Sequence, residues 1–460
     1  MISLSKLRGR SFKDPYNLIN ALSSGDIWVY LSCLFMGAGN IASGQIIKGL
    51  LFFFLEVAFL VFMAVPGGGL YRISMLPSLG DRPQGEVWNE ELGIYEYTKG
   101  DNSQLILLYG IATILICVLF AVVWRAAVCS SYKARVQRSA GLRPASFGSD
   151  LHSLLDDRVH TLLMTPPFAF LLVFTILPLI YMMTMAFTNF SREGDRLVLF
   201  DWVGFRNFLT VFNSNSVVGK QFWSVLGWTL VWAFFATFLN FFLGTLLAML
   251  INRHSIKLKG LWRTVLATTI AVPQFVSLMV VRSMLQPQGI LNRMLEGADL
   301  INSPLPFLTD TAWARVLVII VNLWIGIPYT ILQVTGVLNN IPKEQYNAAK
   351  VDGCTPIQTF FHVTLPYMMF VLTPYLITQF TGNINNFNII YLLTRGEPVS
   401  VGNTAGDTDL LITWLYKLSV DQQKYDLAAV IGILTFAVLS IVALVTYRNS
   451  GSYKNEEGFR

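Results

Sequence analysis

Long apolar segments dominate this chain, and shorter polar segments separate them. Each apolar segment has about twenty residues, the length with which an α-helix crosses the hydrocarbon core of a membrane. A shorter apolar segment at 26–40 is interrupted by glycines and predicts a re-entrant or interfacial helix. The pattern predicts an all-α polytopic membrane protein with about eight transmembrane helices, near residues 46–66, 103–124, 160–187, 223–251, 264–286, 313–338, 367–393 and 424–446.

The composition supports a membrane protein. Apolar residues make up 54% of the 460 residues and charged residues only 13%, which excludes an ordinary soluble globular protein. The formal net charge is +6. A nucleic-acid partner is not expected, because it would require a soluble basic face that this chain does not offer.

Basic residues predict the orientation of the spans. They cluster at 6–13, at 125–158 and at 253–263, and lysine and arginine accumulate in the loops that stay on the cytoplasmic side. With about eight spans, both termini are then cytoplasmic. The polar segment between the sixth and seventh spans falls on the same side.

That polar segment, residues 342–366, carries the signals of two short helices. Pro342 lies in the first turn of one helix and Gly353 predicts its left-handed end, while Thr355 caps a second helix with Pro356 at its first position. The pattern predicts a helix-turn-helix projection. It is interpreted either as a solvated loop or as a surface for a partner in the aqueous phase.

The spacing of Ala348-Ala349, Gly353 and Leu365-Pro366 resembles the cytoplasmic coupling loop of permease subunits of bacterial ABC importers. The resemblance implies the type I importer permease fold, a multi-pass protein of the bacterial plasma (inner) membrane, and contact of this loop with an ATPase subunit. The family motif begins Glu-Ala-Ala, and Asn347 stands at its first position here. The candidate ATPase-coupling residues are Glu344, Asn347, Ala348, Ala349, Asp352, Gly353, Leu365 and Pro366.

Polar and small residues recur inside the sixth and seventh spans. At about 100° per residue, Asn322, Gly326 and Tyr329 share one stripe. Gln379, Asn383 and Asn386 share a face of the next span by the same measure. Burial of carboxamides in a membrane is costly without partners, so these side chains are expected to face either a cavity or another helix.

Uncharged amides favour a neutral, hydroxyl-rich ligand. A carboxamide both donates and accepts hydrogen bonds, as a sugar hydroxyl does, and Trp324 and Tyr329 offer rings that stack on a sugar. An anionic substrate would call for arginine or lysine on these faces. The chemistry therefore predicts a carbohydrate.

The chain also resembles the larger membrane subunit of maltose/maltodextrin importers over residues 160–446. The runs that carry this resemblance are Asn322-x-Trp324-x-Gly326-x-Pro328-Tyr329, Asn385-Asn386-Phe387 and Thr408-Asp409-Leu410-Leu411. Two aromatic residues of the family pattern are missing around Gly382, so a longer maltodextrin or another oligosaccharide fits as well. The candidate substrate-binding residues are Asn322, Trp324, Gly326, Tyr329, Gln379, Gly382, Asn383 and Asn386.

The resemblance implies a division of the chain and a set of partners. Residues 1–159 would form an N-terminal segment with two accessory spans and a basic linker, 160–446 a six-helix permease core with the coupling loop at 342–366, and 447–460 a cytoplasmic tail. The expected partners are a second homologous permease, two ATP-binding subunits and an extracytoplasmic sugar-binding protein.

The chain is expected to be a transport subunit and not an enzyme. It lacks the phosphate-binding motif Gly-x-x-x-x-Gly-Lys-Ser/Thr, so ATP and Mg²⁺ are expected on partner subunits and no cofactor on this chain. No catalytic set or metal-ligand spacing is present. The alternative from another class, an ion-coupled secondary transporter, would need titratable groups deep in the spans, where Glu56 and Arg282 are interpreted as packing or pairing residues.

Overall fold

The computed structural model describes residues 15–90, 93–253 and 256–449. The basic cluster at 6–13 and the part of the predicted tail beyond residue 449 lie outside these ranges. The chain forms two compact units: the first runs to Phe190 and includes Gly194–Trp202, and the second comprises Ser191–Glu193 and everything from Val203 onward. The functional division at residue 160 remains a prediction.

The first unit is helical apart from one antiparallel hairpin, in which Gly85 pairs with Thr98. Its elements are α1 Leu18–Ser24, α2 Ile27–Leu34, α3 Ala38–Ala42, α4 Ile46–Ala64, α5 Gly69–Met75, β1 Gly85–Asn89, β2 Ile94–Thr98, α6 Ser103–Ser139, α7 Phe147–Leu155, α8 Val159–Leu171, a π-helical turn Leu172–Ile176, and α9 Leu177–Met185.

The second unit is helical, with a core formed around buried residues such as Trp232, Val318 and Ile390. Its elements are α10 Arg206–Phe212, α11 Val217–Phe234, a π-helical turn Phe235–Leu239, α12 Asn240–Asn252, α13 Lys259–Ala271, α14 Gln274–Met284, α15 Ile290–Gly297, α16 Thr311–Asn340, α17 Lys343–Val351, α18 Pro356–Thr359, a π-helical turn Phe360–Thr364, α19 Leu365–Ile384, α20 Phe387–Leu393, α21 Leu411–Tyr416, a π-helical turn Lys417–Asp421, and α22 Tyr425–Asn449.

Among the described residues, 7 helices are long and apolar enough to cross a membrane, or 8 if a bent pair counts as one span. That pair is the fifth predicted span, 264–286. It is not one straight helix, because α13 and α14 meet at 86°. Proline disfavours the helical conformation of the residue before it, and Val272, which precedes Pro273, is extended with φ −78° and ψ 127°.

The second span is longer than the sequence predicted. Helix α6 has 37 residues and runs to Ser139, so the first part of the predicted basic linker is a continuation of the transmembrane helix. Arg135 in this extension donates a hydrogen bond from Nε to Asp26 Oδ2 at 2.6 Å. The linker is therefore anchored to the segment that precedes the first span.

The glycine-interrupted segment at 26–40 folds as two short helices, α2 and most of α3. Between them the Met36 N–H donates to Glu56 Oε2 of α4 at 2.7 Å. Glu56 is only 8% exposed. The acid predicted to be a packing residue thus satisfies a buried backbone donor.

Replacing Glu56 by leucine should destabilise the first unit by about 1–3 kcal/mol, because the buried Met36 N–H would lose its acceptor. The purified chain should then melt several degrees lower in a thermal unfolding scan. Glu56→Gln keeps an acceptor oxygen and should melt close to the parent chain. Equal melting of the leucine variant and the parent chain would contradict this role.

Candidate functional site

The polar segment after α16 has the local structure that its residues predict. Pro342 precedes α17, and Gly353 takes the left-handed conformation with φ +72° after the helix ends. Thr355 caps the next helix: its Oγ1 accepts from the Gln358 N–H at 3.3 Å, and Gln358 Oε1 accepts from the Thr355 N–H at 2.8 Å. The predicted turn between two capped helices is confirmed.

The predicted segment ends at Leu365-Pro366, and in the structure the helix does not stop there. The chain continues from α18 through the π-helical turn Phe360–Thr364 into α19. In that turn the Leu365 N–H donates to Phe360 O, five residues back. The wider turn accommodates a proline that lacks an N–H and would otherwise clash with the preceding turn. The segment therefore leads directly into the seventh span.

Residues 342–366, here called the coupling segment, expose both polar and apolar side chains. Of its candidate residues, Ala349 is buried, Leu365 is half-buried, and Glu344, Asn347, Ala348, Asp352, Gly353 and Pro366 are exposed. Three apolar side chains are also exposed: Val351 by 87%, Ile357 by 71% and Phe361 by 57%. Exposed apolar groups on a polar projection are typical of a contact surface. Spacing alone did not identify them, although apolar residues in such a polar segment were a usable signal.

Within the membrane helices, Asn322 and Gly326 of α16 pack against the π-helical turn and α12. Asn322 Nδ2 donates to Ala236 O at 3.4 Å, and the Asn322 side chain is buried. A Cβ atom built on Gly326 would lie 1.9 Å from Asn240 Nδ2. These two members of the predicted stripe make a close helix-to-helix contact.

Gly326→Ala should displace the Asn240 side chain, break the hydrogen bond that its Oδ1 accepts from Thr330 Oγ1, and destabilise the second unit by about 1–3 kcal/mol, as overpacking does. The readout is the melting temperature of the purified chain. Gly336→Ala is the matched control on the same helix, because a Cβ there meets no atom within 4 Å. In the Gly326→Ala background, Asn240→Ala should restore much of the lost melting temperature. Equal melting of the Gly326→Ala and Gly336→Ala variants, with no recovery on adding Asn240→Ala, would contradict the contact between Gly326 and Asn240.

Asn383 and Asn386 of the seventh span also make hydrogen bonds within the chain. Asn383 Nδ2 donates to Thr237 Oγ1 at 3.0 Å, and Asn383 O accepts from Trp232 Nε1 at 3.0 Å. Helix α19 ends at Ile384, and Asn386 caps α20 by accepting from the Ile389 N–H at 3.3 Å. The break at 385–386 interrupts the regular helix on which the prediction of a shared face relied, but the two side chains still lie together, because Asn386 Nδ2 donates to Asn383 Oδ1 at 3.4 Å.

The exposed aromatic residues of α16 face a cavity beside α14. Trp324 and Tyr329 are 48% and 49% exposed, and they line a cavity of about 110 Å³ together with Gln274 and Ser277 of α14. No aspartate, glutamate, lysine or arginine is among the lining residues. Sequence reasoning missed Gln274 and Ser277, although Pro273 inside an apolar segment signalled a break that would place polar residues there.

The remaining candidates occupy two further places. Gln379 lines a separate small cavity with Thr237, Asn240 and Tyr375. Gly382 is exposed, and a Cβ there would meet no atom within 4 Å. The candidate sugar residues therefore divide between helix contacts, two cavities and an open surface in this chain.

The Thr408-Asp409 run organises the loop between α20 and α21. The Asp409 carboxylate is fully buried and accepts from Lys417 Nζ at 2.6 Å and from the Gly406 N–H at 2.7 Å. Burial raises the pKa of Asp409, while the Lys417 ammonium opposes that shift. Trp228 Nε1 donates to Thr408 O at 3.2 Å. The run thus holds this loop against α11.

The sequence of the second unit matches a known family model, described as "Binding-protein-dependent transport system inner membrane component", over residues 241–451. The maltodextrin transport system permease protein MdxF of Bacillus subtilis (strain 168) is 34% identical over 435 residues, which cover 92% of this chain and 95% of that protein. The galactooligosaccharides transport system permease protein GanP of the same strain is 32% identical over 424 residues, covering 91% and 96%.

Solved structures show the same fold. The permease chain in a crystal structure of a bacterial alginate ABC transporter, in complex with its alginate pentasaccharide-bound periplasmic protein, matches with a TM-score of 0.53 at 24% identity. The match covers 65% of this chain and 96% of that chain. With 7 to 8 apolar helices and relatives named as permeases, this multi-pass plasma-membrane protein is a transport component and not an enzyme. It belongs to the family of binding-protein-dependent transport system inner membrane components, the permease subunits of ABC importers.

Proposed function

We propose that this permease subunit imports neutral oligosaccharides, with maltodextrins as the first candidate. The observation that carries the proposal is the uncharged cavity beside Trp324 and Tyr329, where rings and the amide of Gln274 meet. Aromatic faces stack on sugars and amides bond hydroxyls in both directions. The names of relatives that transport maltodextrins and galactooligosaccharides support the same substrate class.

The proposed sugar path includes every candidate residue named from the sequence. Trp324 and Tyr329 would stack on the sugar, and Gln379 and Gly382 would border the path from the next span. Asn322, Gly326 and Asn383 would set the positions of those helices, because their side chains or close contacts join α16 and α19 to the turn at 235–239 and to α12. Asn386 would hold the start of α20 beside Asn383. This assignment combines the two interpretations that the sequence left open.

The proposal includes an ATP-driven assembly. A second homologous permease would complete the path, two ATP-binding subunits would hold ATP and Mg²⁺, and an extracytoplasmic binding protein would deliver the sugar. The coupling segment would contact an ATP-binding subunit through its exposed face, from Glu344 to Gly353, on the cytoplasmic side. Its protruding Val351, Ile357 and Phe361 support a partner contact.

Two alternatives give different outcomes in one experiment. In the first alternative, the substrate is another oligosaccharide and the partner subunits are the same. An ion-coupled transporter would need free titratable groups within the spans. Glu56 instead accepts a hydrogen bond from the Met36 N–H, and Arg282 Nη2 lies 3.8 Å from Glu397 Oε2.

Uptake by the reconstituted assembly tests the proposal. Proteoliposomes containing the chain, the other permease and the ATP-binding subunits would be supplied with binding protein and labelled sugars: maltose, maltotriose, maltoheptaose and a galactooligosaccharide. We expect uptake of neutral oligosaccharides that requires ATP. Uptake that follows an ion gradient without the ATP-binding subunits would contradict the proposal, and selective uptake of the galactooligosaccharide would replace the maltodextrin assignment.

A further inference from the structure

A basic cavity of about 800 Å³ lies within the second unit, beside the coupling segment. Four cationic side chains line it: Arg253 after α12, Lys259 and Arg263 of α13, and Lys350 of α17. No aspartate or glutamate is among the described lining residues. This concentration of positive charge without a compensating carboxylate favours an anionic occupant.

Asn252 fixes one wall of this cavity. Its main-chain oxygen accepts from Lys259 Nζ at 2.9 Å, and its Oδ1 accepts a hydrogen bond from Arg263 Nη2. The Asn252 amide is itself held by Thr335 Oγ1 at 3.1 Å. Arg263 Nε is buried and has no hydrogen-bond partner among the described residues. The wall therefore holds two cations in place and leaves one buried donor for a ligand.

The other two cations have no partner among the residues that the structure describes. No described hydrogen bond or ion pair involves the side chain of Arg253 or Lys350, so their charges are available to a ligand. They come from different parts of the unit, since Arg253 follows a transmembrane helix and Lys350 belongs to the coupling segment. A ligand that contacted both would bridge the spans and the coupling segment.

The cavity also has an apolar side. Leu246, Met249 and Leu250 of α12 line it, and Leu246 and Leu250 are 42% and 50% exposed. A small inorganic anion gains nothing from such a wall, whereas an amphiphile contacts both surfaces at once. Basic pockets between transmembrane helices on the cytoplasmic side are suited to phospholipid head groups.

We propose that this cavity binds an anionic phospholipid, with its phosphate between the cations and the start of an acyl chain along Leu246 and Leu250. The bound head group would tie Lys350 of the coupling segment to Arg253 and Arg263 of the spans. The lipid would then affect how a movement of the coupling segment reaches α12 and α13. This inference rests on the cytoplasmic placement in the proposed function.

Native mass spectrometry of the assembled transporter tests the site. Phosphatidylglycerol and zwitterionic phosphatidylcholine would be titrated as lipid probes. We expect preferential retention of phosphatidylglycerol, and in Arg253→Gln/Lys350→Gln a loss of its affinity of about thirtyfold, given the contribution of each basic residue near a membrane surface. The charge-conserving pair Arg253→Lys/Lys350→Arg should retain the lipid and shows that the effect is not misfolding.

Lys257→Gln/Lys343→Gln is the matched control, because both residues are exposed, lie in the same two parts of the chain and do not line the cavity. Equal weakening by the control pair would overturn the proposal in favour of general surface charge. Complete displacement of the lipid by millimolar inorganic phosphate would assign a soluble anion instead. Absence of phosphatidylglycerol from the assembled transporter would also overturn it. The lipid readout does not depend on the sugar, so failed sugar uptake with normal lipid binding would count against the proposed function alone.

Discussion

Replacing Gly353 by aspartate is expected to lower ATP-driven sugar uptake at least about tenfold, since a central residue of a partner contact commonly contributes this much. Gly353 is exposed with φ +72°, and a Cβ there would meet no atom within 4 Å. The new side chain therefore does not clash within the chain. It strains the left-handed turn by about 1–2 kcal/mol and adds a charge to the surface proposed to contact the ATP-binding subunit.

Gly402→Asp separates this effect from strain and charge. Gly402 also has a positive φ, +83°, and open space around it, but it lies in the loop between α20 and α21. We expect co-purification of the ATP-binding subunits to fall in the Gly353 variant and to persist in the Gly402 variant, with equal amounts of both chains in the membrane. Normal uptake and normal co-purification with Gly353→Asp would refute the coupling role.

Tyr329→Ala is expected to reduce sugar uptake by about tenfold while leaving the assembly intact, because it removes one of the two rings beside the uncharged cavity. The side chain is 49% exposed, so its loss should change the stability of the chain little. Initial uptake rates over a range of sugar concentrations provide the measurement. ATP hydrolysis stimulated by the binding protein should remain measurable.

Leu332→Ala is a suitable control on the same helix. Leu332 is 45% exposed and does not line that cavity, so it reports on truncation of a comparable surface residue. Gln274→Ala tests the opposite wall and should also reduce uptake. If Tyr329→Ala and Leu332→Ala had the same uptake, the sugar path would have to lie away from this cavity.

Features that depend on neighbouring residues were predictable from the sequence. The caps at Thr355 and the left-handed end at Gly353 involve bonds across three or four positions, and the structure has them as expected. The apolar spans followed from length and composition in the same way. The break of the fifth span has a local signal too, because Pro273 stands inside 264–286, but the apolar residues on both sides of it form one pattern of transmembrane length.

The partners of the buried amides were not predictable. Asn322 bonds a carbonyl 86 positions away, and Asn383 bonds a hydroxyl 146 positions away. Periodicity places such residues on a face of a helix but does not say whether that face meets a cavity or another helix. Both partners lie in the π-helical turn Phe235–Leu239, which no local sequence signal marked.

The uninterrupted passage from α18 through the π-helical turn into α19 has a mechanical consequence. From Pro356 to Ile384 the backbone stays helical, which at 1.5 Å per residue makes a rod of about 40 Å. Because the helix is continuous, a displacement applied near Pro356 would reach the end of α19, where Asn383 lies. A movement of the ATP-binding subunit at the coupling segment would therefore shift the helix end that borders the proposed sugar path.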